Sequence, residues 1–246
     1  MPFSPASLSS TLVSQLATFV SQNNFLALYQ AYTWRNDTFA SGFKDILALE
    51  LRLTTSDKTN GITLNDVQSV ANWGALRNHR RIAGQPTVLP PNSLHAKNGA
   101  PLLVLWQTPT LPITQLQHRI TRGIGPTYLS KIIRFGLPQE YGAIDTRCVR
   151  VFGQGDPSNQ RHNWITLKAQ NSGSGWFIPT RQTAWPGEYS VWINILRYFA
   201  SVLPKNCPHP PGFYKARLRR DGIWECADVE MALFVYASQH LRRAHR

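Results

Sequence analysis

The segment "AIDTRCVRVF" places one acid, Asp145, among apolar residues and ahead of two arginines, Arg147 and Arg150. A carboxylate in such surroundings can stabilise a positive charge that develops on a substrate, and it can orient or deprotonate a water molecule. The same carboxylate can instead cap the helix that the next residues predict, because it accepts hydrogen bonds from the first backbone N–H groups. The two roles are compatible, so Asp145 is our candidate catalytic residue.

A glycine-rich turn, "RGIGPTY", precedes this acid, and its second glycine lies twenty residues before Asp145. Gly123 and Gly125 permit backbone conformations that a side chain would obstruct, and Pro126 suits the first position of a helix. The N–H groups at such a helix start form an anion site that suits one phosphate. The turn therefore predicts a contact with a phosphate backbone, although glycines in a helical hairpin can also serve packing alone.

The charge balance favours a polyanionic partner. The 246 residues include 26 Lys and Arg against 13 Asp and Glu, for a formal net charge of +13. Nucleic acid is the first candidate and an anionic membrane surface the second, while a basic protein that is merely soluble remains the plain alternative. No apolar stretch approaches the roughly 18 residues that cross a bilayer, and the N-terminus lacks the pattern of a secretory signal. We expect an intracellular protein, either cytoplasmic or nucleoid-associated.

Cysteine and histidine give no sign of a metal site or a cofactor. Three cysteines (Cys148, Cys207 and Cys226) argue against a disulfide framework and exclude a four-cysteine zinc or iron–sulfur site. The "CPHP" segment at Cys207 is too short and too rich in proline to count as a metal motif. We expect no bound metal and no cofactor.

The turn and the acid together resemble the helix–hairpin–helix DNA glycosylase superfamily, which includes endonuclease III and the adenine-mismatch glycosylases. In that family a Gly-Val/Ile-Gly hairpin precedes an apolar-Asp-x-x-x-x-Arg-Val segment at a similar distance. The resemblance extends over roughly residues 116–152, and the matching residues are Gly123, Ile124, Gly125, Asp145, Arg150 and Val151.

The resemblance implies a function on double-stranded DNA that carries a modified or mispaired base. Such enzymes flip the nucleotide out of the helix, because a stacked base cannot be reached. Cleavage of the N-glycosidic bond builds positive charge on the sugar, and by resemblance Asp145 is the carboxylate near C1′ that stabilises it. The implied DNA-binding residues are Gly123, Ile124, Gly125, Thr127, Arg147 and Arg150.

The sequence departs from the family at the position of the nucleophile. Members with lyase activity carry a lysine two residues after the second hairpin glycine, and its amine forms a Schiff base. Thr127 stands at that position here, which favours a glycosylase that uses water. Lys131 lies one turn further along the same helix face, so a glycosylase with AP-lyase activity that uses this amine is an alternative. Otherwise Lys131 is a solvated or phosphate-contacting lysine, paired with Glu140.

A tryptophan-rich segment over 154–187 has no counterpart in the resemblance. Trp164, Trp176 and Trp185 are candidates to stack on a flipped base or to wedge the duplex, although aromatic residues in a loop also close small cores. The strings "WITLKA" and "WFIPT" flank "NSGSG", which predicts a small β-hairpin.

Apolar residues at helical spacing predict that the rest of the chain is mostly α-helical. Ser9 or Ser10 is a plausible cap for the first helix and Thr63 for a later one. Other helices are predicted from Phe43, over 113–120, over 129–133, from 188 and from 227. We expect a two-lobed helical bundle with a helix–hairpin–helix motif at 113–136 and the β-hairpin as an insertion.

The predicted divisions follow from this pattern. They are 1–59, N-terminal helices that join the second lobe; 60–153, the domain with the hairpin and Asp145; 154–187, the insertion; and 188–246, C-terminal helices of the second lobe. We expect a monomeric base-excision DNA glycosylase, with the lyase variant as one alternative. A non-enzymatic helix–hairpin–helix DNA-binding protein, in which Asp145 is only a cap, and an RNA-directed binder are the others.

Overall fold

The computed structural model describes residues 8–55, 62–84 and 108–241. Residues 1–7, 56–61, 85–107 and 242–246 lie outside these ranges. The helices are α1 (Ser10–Gln22), α2 (Phe25–Gln30), α3 (Lys44–Thr55), α4 (Leu64–Trp73), the 3-10 helix η1 (His79–Arg81), α5 (Leu111–Arg119), α6 (Pro126–Gly136), α7 (Thr146–Phe152), α8 (Gly187–Val202), α9 (Pro211–Lys215) and α10 (Cys226–His240). The predicted mostly α-helical fold class is confirmed.

Short antiparallel strand pairs connect these helices. The strands are β1 (Thr33–Trp34) with β2 (Asp37–Thr38), β3 (Ala83–Gly84) with β4 (Ile120–Arg122), and β5 (Gln170–Asn171) with β6 (Trp176–Phe177). The pair of β5 and β6 is the hairpin predicted across "NSGSG".

Two predicted helix starts are confirmed by their caps. The Ser9 side chain accepts a hydrogen bond from the backbone N–H of Leu12. Thr63 and Asp66 form a reciprocal capping box at the start of α4. Such a box satisfies two backbone N–H groups that a helix start would otherwise leave without partners.

The predicted helix–hairpin–helix differs from expectation at the end of its first helix. We expected Ile120 on the buried face of that helix, but α5 ends at Arg119, and Ile120 begins strand β4, which pairs with β3. The β-branched pair Ile120–Thr121 favours extended backbone, and Gly123 follows at a φ of +83°, where a helix cannot continue. The strand still buries Ile120, so the turn is fixed by both a strand pair and a helix.

One hydrophobic cluster extends from Leu8 to Ala237. Helix α10 is buried nearly all round over Cys226–Val235 and packs against α2, α7 and α8, which is the pattern of a central helix. Helix α3 of the N-terminal segment packs against α6. The division into two lobes stays a prediction, and what matters for the site is that α6, α7 and α10 meet.

Candidate functional site

Asp145 caps helix α7, as its sequence context predicts. Its Oδ1 atom accepts a hydrogen bond from the backbone N–H of Arg147 at 3.0 Å. The backbone just before it is held by side chains from other helices, because Ser130 accepts from the N–H of Ile144 and Trp192 donates to the carbonyl of Ala143. The carboxylate is therefore fixed in position as well as buried.

Lys131 faces the same carboxylate. Its Nζ atom lies 3.4 Å from Oδ2 of Asp145, and each residue is only 7% exposed. The interpretation of Lys131 as a solvated lysine paired with Glu140 is wrong, since helix α6 is buried on the side that carries Lys131. Glu140 instead pairs with Arg197 at 3.5 Å.

Three aromatic rings surround the ammonium group of Lys131. The ring centres of Trp34, Trp73 and Tyr128 lie 5.3, 5.6 and 5.2 Å from its Nζ atom. Trp34 donates to the carbonyl of Trp73, and Tyr128 donates to the carbonyl of Gly74, so hydrogen bonds hold the rings of Trp34 and Tyr128 in place. Aromatic faces attract a cation and exclude water from it, which keeps the amine positioned in a dry environment.

The pKa values of two buried carboxyl groups near Lys131 are shifted in opposite directions. Burial by itself raises the pKa of Asp145, but Lys131 and the N–H of Arg147 outweigh burial and hold that pKa below its ordinary value. Burial raises the pKa of Glu230 to about 7, against the opposing effect of Arg134 and Lys131. Asp145 is thus the acid that stays ionised at neutral pH.

The pair lies in an open cleft of about 310 Å³ that begins at the glycine turn. The cleft is lined by Gly123, Gly125, Thr127, Lys131, Asp145 and Arg147, and by the aromatic residues Trp34, Tyr128, Trp176 and Phe177, among others. The turn, the acid and the lysine that the sequence singled out therefore share one cleft. A larger groove of about 650 Å³ lies along α1 and residues 157–164, but no acid or lysine lines it.

The two hairpin positions differ in whether the backbone requires a glycine there. Gly123 has a φ of +83°, and an added Cβ would lie 3.2 Å from Cα of Ile82. Gly125 has an ordinary φ of −114°, and no atom of the described residues lies within 4 Å of an added Cβ. Helix α6 starts at this point without a side-chain cap. Only Gly123 is required by the backbone, whereas Gly125 leaves the helix start open to a ligand.

The two candidate arginines behave differently. Arg147 lines the cleft, with its guanidinium 5.3 Å from the ring of Trp34 and 4.7 Å from that of Phe234. Arg150 donates to Asp156 at 2.6 Å and stacks 4.2 Å from the ring of Trp176. Arg150 thus holds an aromatic wall of the cleft in place.

Of the three tryptophans proposed for base contact, the cleft contains Trp176. Trp164 is buried in the core, where it stacks on Phe152 at 4.5 Å. Trp185 is also buried and donates to Gln117. Both lie outside this cleft because they pack into the main hydrophobic core, Trp164 against Phe19 and Phe199 as well, and Trp185 against Tyr189.

Sequence reasoning missed Trp34 and Trp73. The string "TWRNDT" contained a signal, because Thr33 and Thr38 are the outer pair of a hairpin whose two-residue turn contains Arg35 at a left-handed φ of 56°. No local sequence pattern indicated that this short hairpin would meet the end of α4.

The structure also brings together Cys207, His209 and Asp228, whose ligand atoms lie within 4.8 Å of one another. The "CPHP" segment therefore has a local partner that its spacing did not reveal. The carboxylate of Asp228 already accepts hydrogen bonds from Arg219 at 3.0 Å and from the N–H of Glu225 at 3.1 Å. A cation would have to displace Arg219, so we interpret this group as a hydrogen-bonded structural cluster.

The chemistry available in the cleft is that of an ionised carboxylate beside a primary amine, next to an open helix start. No family model, no curated protein and no solved structure matches this chain. In the described part of the chain, no helix combines the length and the apolar character needed to cross a membrane.

Proposed function

We propose that this protein is a DNA glycosylase that excises a damaged or mispaired base, and that Lys131 supplies the nucleophile, which adds AP-lyase activity. The observation that carries the proposal is the buried Lys131–Asp145 pair, 3.4 Å apart in the cleft that begins at the glycine turn. A DNA phosphate binds the open N-terminus of α6 at Gly125, where backbone N–H groups and the helix dipole favour an anion.

The flipped nucleotide enters the cleft with its sugar beside Asp145. As the N-glycosidic bond stretches, positive charge grows on the sugar, and the ionised carboxylate stabilises it. Trp34 and Trp176 offer ring faces on which the base stacks. This arrangement assigns the charge stabilisation to Asp145 and the base contacts to the aromatic walls.

Lys131 then takes the place that water has in the simpler mechanism. The ammonium group of Lys131 gives one proton to the departing base, its nitrogen bonds to C1′, and the base leaves with the electron pair of the N-glycosidic bond. A second proton passes from the nitrogen through the carboxylate of Asp145 to O4′ as the sugar ring opens, which gives a Schiff base. Loss of a proton from C2′ then expels the 3′-phosphate and breaks the strand.

The position of the amine supports this step. Lys131 lies one turn, about 5.4 Å, beyond Thr127, and a lysine side chain is long enough to offset that rise. The aromatic rings around it restrict water, which favours attack by the amine. The partner is double-stranded DNA, and the expected place of action is the cytoplasm or the nucleoid.

Borohydride trapping on duplexes with a panel of base lesions and mismatches tests the proposal. We expect the wild-type protein to form a covalent adduct and to nick the strand without alkali. Lys131→Ala should form no adduct, whereas Lys215→Ala, which removes an exposed lysine elsewhere, should form it normally.

The other outcomes separate the alternatives. An abasic product that breaks only in hot alkali, with no adduct, would assign the nucleophile to water. Equal binding of damaged and undamaged duplex without any abasic product would favour a non-enzymatic DNA-binding protein.

A further inference from the structure

Exposed arginines lie beside the glycine turn. They are Arg77, Arg80, Arg81 and Arg122, which we call the arginine edge. Arg77 directly follows Leu76, which lines the cleft. Arg80 and Arg81 belong to η1, and Arg122 ends strand β4.

The arginine edge and the turn lie side by side, because the two chain segments pair as strands. Ala83 pairs with Arg122 across the two strands. The carbonyl oxygen of Arg81 would lie 3.3 Å from a Cβ added at Gly123. Ile82, only 3% exposed, anchors the connection in the core. The arginines are therefore held next to the site where the proposed function places a phosphate.

No acidic residue lies near these arginines in the sequence. The sequence contains no aspartate or glutamate between Asp66 and Glu140. Within the residues that the structure describes, none of the four arginines has an acidic partner.

The other basic run, "KARLRRDGIW", differs from the edge in this respect. Its Arg219 is buried against Glu50 and Asp228, and its Arg220 pairs with Glu225. Two arginines of that run therefore have acidic partners, whereas the arginine edge has none within the described residues.

The residues of the edge favour duplex over single-stranded DNA. Guanidinium groups match phosphate oxygens and can bind them with two hydrogen bonds at once. Proteins that follow a single strand combine positive charge with aromatic rings on which bases stack. No Phe, Tyr or Trp occurs between Arg77 and Gly84.

We propose that the arginine edge is a second contact with the DNA backbone, which binds duplex phosphates next to the one held at Gly125. This inference rests on the proposed function and adds the surface on which the duplex lies. The contact is independent of base sequence and of damage, because phosphates carry no sequence information.

The salt dependence of binding to undamaged duplex is the test. Each phosphate contact contributes about 0.9 to the slope of log affinity against log salt concentration. Arg80→Ala/Arg81→Ala should lower the slope by about 1 to 2 and weaken damaged and undamaged duplex equally. Single-turnover excision at saturating protein should keep the wild-type rate, since neither arginine lines the cleft.

The matched control is Lys205→Ala/Lys215→Ala, which removes the same charge from exposed positions elsewhere. A slope equal to that of this control would overturn the inference and leave the proposed function standing. A loss confined to single-stranded RNA would also overturn it and would favour an RNA partner. A wild-type protein that binds no duplex at all would remove the proposed function itself.

Discussion

At the scale of single residues, Asp145 performs two tasks with different oxygen atoms. Its Oδ1 atom caps helix α7 through the N–H of Arg147, and its Oδ2 atom faces the ammonium group of Lys131. Capping requires only a hydrogen-bond acceptor, whereas the proposed chemistry requires a negative charge. The two tasks can therefore be separated by a substitution that keeps the acceptor and removes the charge.

Asp145→Asn makes this separation. Asparagine caps helices as well as aspartate does, so we expect the fold and the affinity for undamaged duplex to be retained. The proposed excision should slow by about 100-fold or more, because an amide cannot stabilise the charge that grows on the sugar. Single-turnover rates, duplex affinity and circular dichroism measure the three quantities. A near wild-type rate would remove Asp145 from the mechanism, and an unfolded variant would show that the fold itself requires the negative charge beside Lys131.

At the scale of elements, the site consists of helix ends. The start of α6, the start of α7 and the end of α4 meet at one cleft, and the central helix α10 lies beneath them. Helix starts concentrate backbone N–H groups and positive potential, so this arrangement suits a polyanion before any side chain is considered.

Local features of these elements could be predicted because neighbouring residues determine them. The cap at Asp145, the capping box of Thr63 and the glycine turn all depend on residues within one or two turns. Trp34 and Trp73, by contrast, are 39 residues apart and join through a hydrogen bond that no local pattern encodes. The pairing of Lys131 with Asp145 likewise depends on how α6 and α7 pack.

The start of α6 is tested with Gly125→Leu. This position has an ordinary φ and open space around an added Cβ, so the variant should fold. The new side chain would project where we propose that a phosphate binds, and affinity for damaged and undamaged duplex should fall together by about tenfold, the effect of roughly 1.4 kcal/mol.

Gly187→Leu is the matched control, since it also lies at a helix start with open space around it. It should leave DNA affinity unchanged. Unchanged affinity in the folded Gly125→Leu protein would mean that this helix start does not anchor the DNA.

At the scale of the whole molecule, a buried network of charges joins distant parts of the chain. Glu50 of α3 accepts hydrogen bonds from Arg134 of α6 and from Arg219, each at 2.7 Å, and Arg219 also binds Asp228 of α10. Buried charges of this kind are costly unless all of them are paired, so the network requires the helices to keep their relative positions. The candidate site shares helices α6 and α10 with this network, so its residues on these helices also keep their relative positions.

Glu225, which lies next to Asp228 of this network, makes the stability of the protein depend on pH. Glu225 caps α10 next to Asp228, and burial raises its pKa to about 7 from the ordinary value of 4.5. Asp228 reinforces the rise, while Arg220 opposes it from a side chain that is 76% exposed and therefore screened by solvent. Because the folded protein holds this proton more tightly than the unfolded chain, the stabilisation from Glu225 is complete below pH 4.5. It is lost as pH rises through about 7.

Glu225→Gln removes this titration and keeps an oxygen that can accept the capping hydrogen bond. We expect little difference in the free energy of unfolding near pH 4.5 and a gain of roughly 1 to 3 kcal/mol for the variant at pH 8. Chemical denaturation across this pH range measures the gain. Asp221→Asn, which removes one charge from an exposed acid nearby, should show no such pH-dependent gain. A constant difference between Glu225→Gln and the wild type at every pH would mean that Glu225 does not change its ionisation on folding.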